Sequence, residues 1–296
     1  MIELRRAESA SDLETFARIK STVEPNEPVT TVQLERTAEP DRLLLLASLD
    51  GTDAGCGVGA LSNFGGRAFC AARVLAPYRR HGVGTALFLA LAAHGRALGR
   101  SGVNAFVDAA DEGAIAFARA FGLEEADHQL EQLRGISPDE QAPAPPEGVE
   151  LVSLAGRRKE LLHAAWDAVA VEGYDDMPVP GPVSYRIETW LREEATRPDG
   201  SFVAVENCVI VGYAGLMEHA NGPASAEHGL TAVRRDCRRR GIARALKQAQ
   251  LHWAAGAGVL ELVTWTQRGN EGMQALNRGL GYRDVSKVLT MQGPLP

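Results

Sequence analysis

An internal repeat constrains the fold of this chain more than any other feature of its sequence. Arg79 and Arg238 lie 159 positions apart, and Gly82 and Gly241 have the same separation. The offset also relates three further pairs of identical residues, which are Leu87 and Leu246, Gly99 and Gly258, and Gly122 and Gly281. Because a single offset without a gap spans so long a stretch, the sequence predicts two halves that share one fold.

A proline-rich segment separates the two halves. Residues 136–148 read ISPDEQAPAPPEG, which is typical of a polar and fairly stiff linker. The sequence therefore predicts an N-terminal domain over residues 1–135, a linker over residues 136–148 and a C-terminal domain over residues 149–296. The total length of 296 residues also favours two domains over one.

The overall composition argues against several classes of protein. The net charge is 31 − 38 = −7, whereas a general nucleic-acid binder is more often basic. The four cysteines form no Cys-x-x-Cys pair, so we expect neither a disulfide framework nor a metal site. No apolar run approaches the roughly 18 residues of a membrane span, and the N-terminus lacks the apolar region of a signal peptide. We expect a cytoplasmic monomer or homodimer without nucleic-acid or membrane partners.

Hydrophobic periodicity predicts the same element order in each half: strand, two helices, three antiparallel strands, turn, helix, strand, helix and strand. Strands over residues 68–75 and 227–233 lead into the repeated turns, and the helices after the turns run to about Leu98 and Ala255. Strands over residues 104–107 and 260–265 come next. The other predicted helices cover residues 12–23, 31–38, 112–121, 159–171, 185–195 and 270–280, and a break at residues 24–28 follows the first of them.

Each repeated turn is a candidate anion site. A strand that ends in Arg-x-x-Gly-x-Gly or Arg-x-x-Gly-x-Ala and continues as a helix leaves several backbone N–H groups free at the helix start. Such a group of amides binds a phosphate or pyrophosphate. The arginines from Arg234 to Arg244 could instead form a nucleic-acid patch or a solvated face. The repeat, the glycine spacing and the acidic total favour a coenzyme site, and the turn is neither a Gly-Lys-Ser/Thr loop nor a Gly-x-Gly-x-x-Gly loop.

With these motifs the chain resembles the GNAT superfamily of acyl-CoA-dependent N-acetyltransferases, and it does so twice. The resemblance rests on VLAPYRRHGVG at residues 74–84, on RRRGIA at residues 238–243 and on NEGMQALNRGLGY at residues 270–282. The tandem layout looks like that of mycothiol synthase-like proteins. The resemblance implies an α/β (α+β) fold of two tandem GNAT domains, each a mixed, mostly antiparallel sheet flanked by helices. It also implies acetyl-CoA as the coenzyme and transfer of its acetyl group to a primary amine.

The resemblance also implies which residues bind the coenzyme. In the superfamily the pyrophosphate lies on the amides of the turn, and a backbone N–H of the preceding strand polarises the thioester carbonyl. In the second half the implied residues are Val233, Arg238, Arg239, Arg240, Gly241, Ile242, Ala243, Arg244 and Asn270. In the first half they are Leu75, Arg79, Arg80, His81, Gly82, Val83, Gly84 and Thr85.

Candidate catalytic residues come from the strand before the second turn. Glu227 enters the strand from which the superfamily often supplies a carboxylate base, although a glutamate at a strand end is commonly just solvated. His228 is the other candidate, although a lone histidine on a strand is more often packed or exposed. Glu218 and His219 are weaker candidates on the preceding strand. The acidic residues of a predicted loop could bind a cationic acceptor or form an ordinary polar loop; they are Glu172, Asp175 and Asp176.

The two halves differ in these residues. With the offset of 159, Glu227 corresponds to Ala68 and His228 to Phe69, so we expect the second half to catalyse. The first half then binds coenzyme without turnover or serves as a scaffold. Many members of the superfamily use a tyrosine as general acid where this chain has Asn277. Tyr282 is not assigned that role, so water could protonate the leaving thiolate. The rival interpretation is a non-catalytic acyl-CoA-binding sensor.

Overall fold

The structure is a computed structural model that describes residues 1–25 and 27–296. Asn26, within the predicted break at residues 24–28, lies outside the described residues. The strands of the first half are β1 (Ile2–Arg6), β2 (Leu43–Leu49), β3 (Thr52–Leu61), β4 (Ala68–Val74), β5 (Gly102–Asp108) and β6 (Glu124–Gly135). Its helices are α1 (Ala10–Val23), α2 (Thr31–Arg36), α3 (Val83–Ala97) and α4 (Glu112–Ala120).

The second half repeats this order of elements. Its strands are β7 (Val149–Ser153), β8 (Phe202–Glu206), β9 (Val209–Glu218), β10 (Ser225–Val233), β11 (Glu261–Gln267) and β12 (Arg283–Pro294). Its helices are α5 (Arg158–Ala165), α6 (Val171–Asp175), α7 (Ile187–Glu193), α8 (Ile242–Gly256) and α9 (Glu271–Gly279). The predicted fold class, a mixed and mostly antiparallel sheet flanked by helices in each domain, is confirmed.

The first compact unit consists of Met1–His128, Pro180–Ser184 and Lys287–Pro296. Its strands lie in the order β1-β2-β3-β4-β5-β12. All neighbours are antiparallel except β4 and β5, which are parallel. Helix α3 packs closely on this sheet because Gly55 and Gly57 face it, and a methyl group at either position would crowd Leu87 or Leu91.

The second compact unit consists of Gln129–Val179 and Tyr185–Ser286. Its strands lie in the order β7-β8-β9-β10-β11-β6, and here β10 and β11 are the parallel pair. Gly212 plays the part of Gly55, because a methyl group there would crowd Ile242 and Leu246 of α8. The two units therefore repeat one architecture around one parallel strand pair.

Each compact unit completes its sheet with a strand from the other half of the sequence. Strand β6 follows the first-half helix α4, yet residues 129–135 of β6 pair with β11 in the second unit. Strand β12 ends the second half, yet Val288–Pro294 pairs with β5 in the first unit. The predicted domain boundaries at residues 135 and 149 describe the repeat in the sequence. They stay a prediction, since a repeat does not specify which sheet the last strand of each half joins.

The described boundaries differ most from the prediction in the second half. A helix was expected to end at Val171 and to be followed by a loop. Helical backbone instead continues from α5 through the π-helical turn Trp166–Ala170 into α6, so Glu172 and Asp175 are helical. The reason is burial, because Val169, Ala170 and Tyr174 carry the apolar face of the helix past the predicted end.

Two absences concern the described residues 1–25 and 27–296. None of the helices there combines the length and the apolar character that crossing a membrane requires. In the same part of the chain, no three His, Cys, Asp or Glu side chains are grouped so that they could hold a metal ion.

Candidate active site

The two repeated turns have the same backbone conformation. Gly82 and Gly241 are left-handed, with φ values of 86° and 89°, and each immediately precedes its helix. Arg80 and Arg239 are also left-handed, each with φ of 65°. No side chain caps either helix start, so the first N–H groups of α3 and α8 face outward from the turn. This geometry leaves backbone amides available at both turns, and the binding of an anion there stays a prediction.

The first arginine of each motif braces the turn against the preceding strand. Arg79 Nε donates to the carbonyl oxygen of Val74 at 3.1 Å, and Arg238 Nε donates to that of Val233 at 2.8 Å. Both side chains therefore have the same structural task at equivalent positions. This contact fixes the direction in which each strand enters its turn.

The charges around the two turns are very different. In the second half Arg240 pairs with Glu206, while Arg235 and Arg238 both pair with Asp176. These arginines lower the pKa of Asp176 to about 2, chiefly through the hydrogen bond from Arg235. The first-half counterparts of Arg238 and Arg240 are Arg79 and His81, and within the described part of the chain no carboxylate pairs with either of them.

The acidic residues predicted to bind the acceptor lie against the second turn. Glu172 accepts a hydrogen bond from the Arg235 backbone N–H and pairs with Arg238 at 3.3 Å. Asp176 is held by Arg235 and Arg238 as described above, whereas Asp175 is exposed. The structure thus does not bring these three carboxylates together as one acidic lining.

Strands β10 and β11 separate after a short parallel pairing. They pair only where Ser225–Glu227 lies beside Glu261–Val263, and β10 then continues alone to Val233. Strands β4 and β5 separate in the same way after Phe69. Each half therefore has a V-shaped opening between its parallel strands that leads to its turn.

The Val233 amide faces the opening of the second half. Arg234 N–H donates to Val211 O on β9, and alternate residues of an antiparallel strand point their polar groups in opposite directions. The N–H of Val233 consequently points away from β9. In the first half Leu75 N–H donates to Ala54 O, so the equivalent amide belongs to Val74 and the assignment of Leu75 is corrected.

A β-bulge distinguishes β10, which carries the candidate catalytic residues, from β4, its counterpart in the first half. The register between β10 and β9 shifts between His228 and Thr231, so Gly229 and Leu230 together oppose Gly215. Strands β4 and β3 pair without a shift.

The bulge changes which residues of the two halves correspond. Val233 opposes Gly212 as Val74 opposes Gly55, and from these pairs Glu227 corresponds to Phe69. The correspondence of Glu227 with Ala68, expected from a constant offset, was wrong by the one residue that the bulge inserts.

The side chain of His228 lies in the protein core, on the opposite face of β10 from the side chain of Glu227. Its exposed fraction is 5%, and its Nε2 lies 2.6 Å from Tyr282 Oη. Burial, followed by the nearby Lys247 ammonium group, lowers the pKa of His228 well below its ordinary value. The structure therefore does not support the interpretation of His228 as a base for an incoming substrate. His219, the weaker candidate, lies with Nδ1 3.2 Å from Ser225 Oγ.

Glu227 is half-buried and belongs to the opposite face of β10. Its charge contributes to the raised pKa of Tyr185, which burial chiefly lifts to about 12. Tyr185 stacks on Tyr174 with the ring centroids 4.2 Å apart. Glu227 thus lies on the Tyr185 side of β10, whereas the His228 side chain lies on the opposite side.

Two asparagines of the second half have structural contacts. Asn270 caps α9, accepting a hydrogen bond from Met273 N–H at 3.3 Å, and Asp111 caps α4 in the same way. Asn277 is fully buried and donates to Gln132 Oε1 at 2.8 Å. Asn277 stands at the position where the resemblance implies a tyrosine general acid, and it is therefore enclosed in the core.

Sequence reasoning missed Glu194, which is buried at the β10 bulge. Glu194 Oε1 accepts hydrogen bonds from Tyr213 Oη at 3.1 Å and from Leu230 N–H at 3.2 Å. Burial raises the pKa of this carboxyl group to about 7. The only signal in the sequence is a glycine on each of two neighbouring strands, Gly215 and Gly229, and such a signal is weak on its own.

Comparison with known proteins supports the relation between the halves. The sequence matches the model of the acetyltransferase (GNAT) family over residues 10–123 and again over residues 166–282. No match was found among curated proteins.

Several solved structures share the fold. A GCN5-related N-acetyltransferase from Sphaerobacter thermophilus is 20% identical, with a TM-score of 0.78 over 99% of this chain and 96% of that one. A tandem GNAT protein from the clavulanic acid biosynthesis pathway, solved without AcCoA, is also 20% identical, with a TM-score of 0.79 over 100% and 99% of the two chains. A putative acetyltransferase from Pyrococcus horikoshii is 18% identical, with a TM-score of 0.61 over 99% and 89%.

Proposed function

Because the chain belongs to the acetyltransferase (GNAT) family, we propose that it transfers an acetyl group from acetyl-CoA to a primary amine of a small molecule. The observation that carries the proposal is that Glu227 stands beside the opening between β10 and β11, which leads to an uncapped turn. These are the parts that direct acyl transfer needs: a proton acceptor, a polarising amide and an anchor for the coenzyme.

The residues of both turns fit the pyrophosphate of acetyl-CoA. Gly82 and Gly241 are left-handed, and no side chain occupies the amides that follow them. These N–H groups and the positive end of the helix dipole favour a bound phosphate. The same small residues let the phosphate approach the backbone closely. Val83–Thr85 and Ile242–Arg244 supply the remaining amides.

We derive the chemistry from the residues of the second half. Acetyl-CoA, when bound, supplies an activated thioester. The N–H of Val233 would donate to the thioester carbonyl oxygen and so stabilise negative charge there. Glu227 accepts the proton of the attacking amine. Water protonates the departing thiolate, since Asn277 is buried and hydrogen-bonded to Gln132.

The two halves divide the work in this proposal. The second half catalyses because Glu227 has no acidic counterpart at Phe69. The first half binds coenzyme without turnover, and it binds more tightly because Arg79 keeps its positive charge available at the turn. In the second half a carboxylate neutralises Arg238, the counterpart of Arg79, and another neutralises Arg240. Charge at an anion site raises affinity most at low salt.

One set of variants tests both assignments. In Gly82→Glu and Gly241→Glu, a carboxylate enters an anion site, and calorimetry measures acetyl-CoA affinity while thiol release with a panel of amines measures turnover. We expect Gly82→Glu to remove the tighter binding site and leave turnover within about threefold, and Gly241→Glu to lower turnover at least about 100-fold. Gly256→Glu, at the exposed far end of α8, is the matched control. Full turnover in Gly241→Glu would contradict catalysis by the second half.

The ion pairs at the second turn favour one alternative, a non-catalytic acyl-CoA-binding sensor. A turn whose arginines are already neutralised attracts a new anion less strongly. The two functions differ in one measurement. A sensor binds acetyl-CoA and releases no thiol with any amine of the panel, whereas the enzyme releases thiol with at least one.

A further inference from the structure

A slot at the bulge of β10 encloses the carboxyl group of Glu194. The slot exists because two neighbouring strands carry glycine at the same level: a methyl group at Gly215 or at Gly229 would overlap Glu194 Oε1. The exposed fraction of Glu194 is 7%. A charged residue type is rarely buried to this extent without specific partners, so its surroundings need a physical account.

The carboxyl group has specific partners on both strands of the slot. Tyr213 Oη on β9 and Leu230 N–H on β10 both donate to Glu194 Oε1. Leu230 is one of the two bulged residues, which have no regular partner on β9. The carboxyl group thus satisfies a backbone donor that the bulge would otherwise leave unpaired, and it ties that donor to Tyr213.

The chain that carries Glu194 is also built around this position. Ala195 is fully buried and left-handed with φ of 50°, a conformation that a non-glycine residue adopts at a cost. The Arg158 guanidinium donates to the carbonyl oxygens of Ala195 and Glu194 and holds this conformation in place. The backbone is therefore strained in a way that directs the Glu194 side chain toward the bulge.

In β10 the bulge sets the orientation of the amides after it relative to those of the residues before it, which end at His228. Along a strand, successive N–H groups point to opposite sides, and the extra residue at Gly229 and Leu230 reverses this alternation. The N–H groups from Thr231 to Val233 therefore point the way they do because of the bulge. Strand β4 has no bulge, and no comparable carboxylate was found there among the described residues. The bulge and its buried carboxyl group belong to the half that we propose to be catalytic.

We propose that Glu194 is a positioning residue for acyl transfer: its carboxyl group, inserted between Gly215 and Gly229, holds the β10 bulge in the conformation that presents the Val233 N–H to the thioester. This assignment rests on the proposed function of the second half. Glu194 acts through the bulge, because its Oε1 accepts hydrogen bonds from Tyr213 Oη and from the bulged Leu230 N–H.

Three variants of the full chain test the proposal by kinetics. In Glu194→Ala we expect kcat to fall on the order of tenfold or more, since Leu230 N–H loses its acceptor and the bulge relaxes. The affinity for acetyl-CoA stays within about threefold, because the turn amides are unchanged. Glu194→Gln keeps an acceptor oxygen and retains most of kcat. Glu193→Gln, at the neighbouring residue, is the control and behaves as the parent chain.

Other kinetic outcomes overturn the proposal. Unchanged kcat in Glu194→Ala would remove Glu194 from the reaction. An equal loss of coenzyme binding and kcat would show general damage to the fold instead of positioning. If Glu194→Ala does not fold, Gly229→Ala displaces the carboxyl group while keeping it in the chain, and Gly256→Ala is its control. We expect Gly229→Ala to lower kcat selectively, and the opposite result overturns the proposal.

A second measurement does not depend on activity. The amide nitrogen resonance of Leu230, followed by NMR from pH 5.5 to 8.5, reports the ionisation of the group that accepts its hydrogen bond. The groups around Glu194 are Tyr213 of β9, Tyr174 of α6, Tyr185 before α7 and Arg158 of α5, and each keeps its charge in this range. We expect the resonance to titrate in the parent chain and not in Glu194→Gln.

The NMR result separates the two levels of the argument. If Leu230 titrates but the parent chain transfers no acyl group to any amine, the proposed function fails and the link between Glu194 and the bulge survives. If Leu230 does not titrate, or titrates equally in Glu194→Gln, the link itself is wrong, whatever the activity.

Discussion

Glu227 and His228 are adjacent in the sequence, but their side chains lie on opposite faces of β10. His228 is enclosed with Tyr282, Lys247 and the other core residues under α8, whereas Glu227 faces the side of Tyr185. At the scale of single residues, alternation along one strand therefore separates a packing residue from a candidate base.

We expect Glu227→Gln to lower kcat/KM for the amine by about 100-fold, because the amide cannot accept the proton of the attacking amine. Thiol release with a panel of amines at a single pH measures this loss. Glu188→Gln, exposed on α7, is the control with the same chemical change. An unchanged kcat/KM in Glu227→Gln would remove this residue as the base.

Lys247 should make stability depend on pH. It is 1% exposed, its ammonium lies 5.6 Å from the centroid of the Tyr282 ring, and burial lowers its pKa from 10.5 to about 7. Between these values the unfolded chain binds one more proton than the folded chain. Stability therefore rises with pH across this window, by at most about 1.4 kcal/mol per pH unit from this group, and is lost as the pH falls toward 7.

Urea unfolding at pH 7, 8 and 9 tests this expectation. In Lys247→Met the slope contributed by the buried amine disappears, while a side chain of similar length still fills the core. Lys159→Met, near the start of α5, retains the slope of the parent chain. A Lys247→Met variant with the parental slope would assign the pH dependence to another group.

At the scale of elements, ion pairs connect α6 to the second turn. Glu172 and Asp176, in the last turn of α6 and just after it, hold Arg235 and Arg238 at the end of β10. A bound pyrophosphate would compete with these carboxylates for the same arginines. The carboxylates at the end of α6 thus compete with an anion that binds at the second turn.

Asp176→Asn should tighten coenzyme binding at the second turn. We expect the affinity for acetyl-CoA to rise about threefold at low ionic strength and the gain to shrink as salt is added. Calorimetry in the Gly82→Glu background isolates the second turn, and Asp175→Asn, at the exposed neighbour, is the control. Weaker binding in Asp176→Asn would mean that the ion pairs organise the turn and do not compete with the ligand.

The same elements show what the sequence could predict. The turns at Gly82 and Gly241 were predictable because a left-handed glycine before a helix is a local signal. The pairing of Asp176 with Arg238 and the burial of Glu194 were not, since both join residues distant in the chain. The correspondence of Glu227 failed because a bulge adds one residue to a strand without leaving a gap in the repeat.

At the scale of the whole molecule, neither half of the sequence contains all the strands of its own compact unit. The ladder between β5 and β12 runs from Gly102 to Asp108 and depends on Val288–Pro294, which follow the second repeat in the sequence. The linker at residues 136–148 therefore separates the repeats in sequence without marking a point where the molecule divides into independent parts.

Deletion of Lys287–Pro296 should destabilise the first unit selectively. We expect amide exchange in Gly102–Asp108 to accelerate at least about 100-fold, because β5 loses its antiparallel neighbour. Insertion of Gly-Ser-Gly-Ser between Ala142 and Pro143 is the control, and it leaves exchange within about threefold. Equal exchange in the truncated and parent chains would show that β12 contributes no stability to the first unit.

The exchanged strand has a consequence for synthesis on the ribosome. The first 128 residues emerge early, but Lys287–Pro296, which completes their sheet, is translated much later. At typical elongation rates the interval is roughly 10–30 s. Throughout this time the nascent N-terminal unit carries β5 with an open edge, the kind of surface that chaperones protect and that other chains can add to. The order of translation therefore delays completion of the first unit until Lys287–Pro296 has emerged, long after the rest of that sheet has been synthesised.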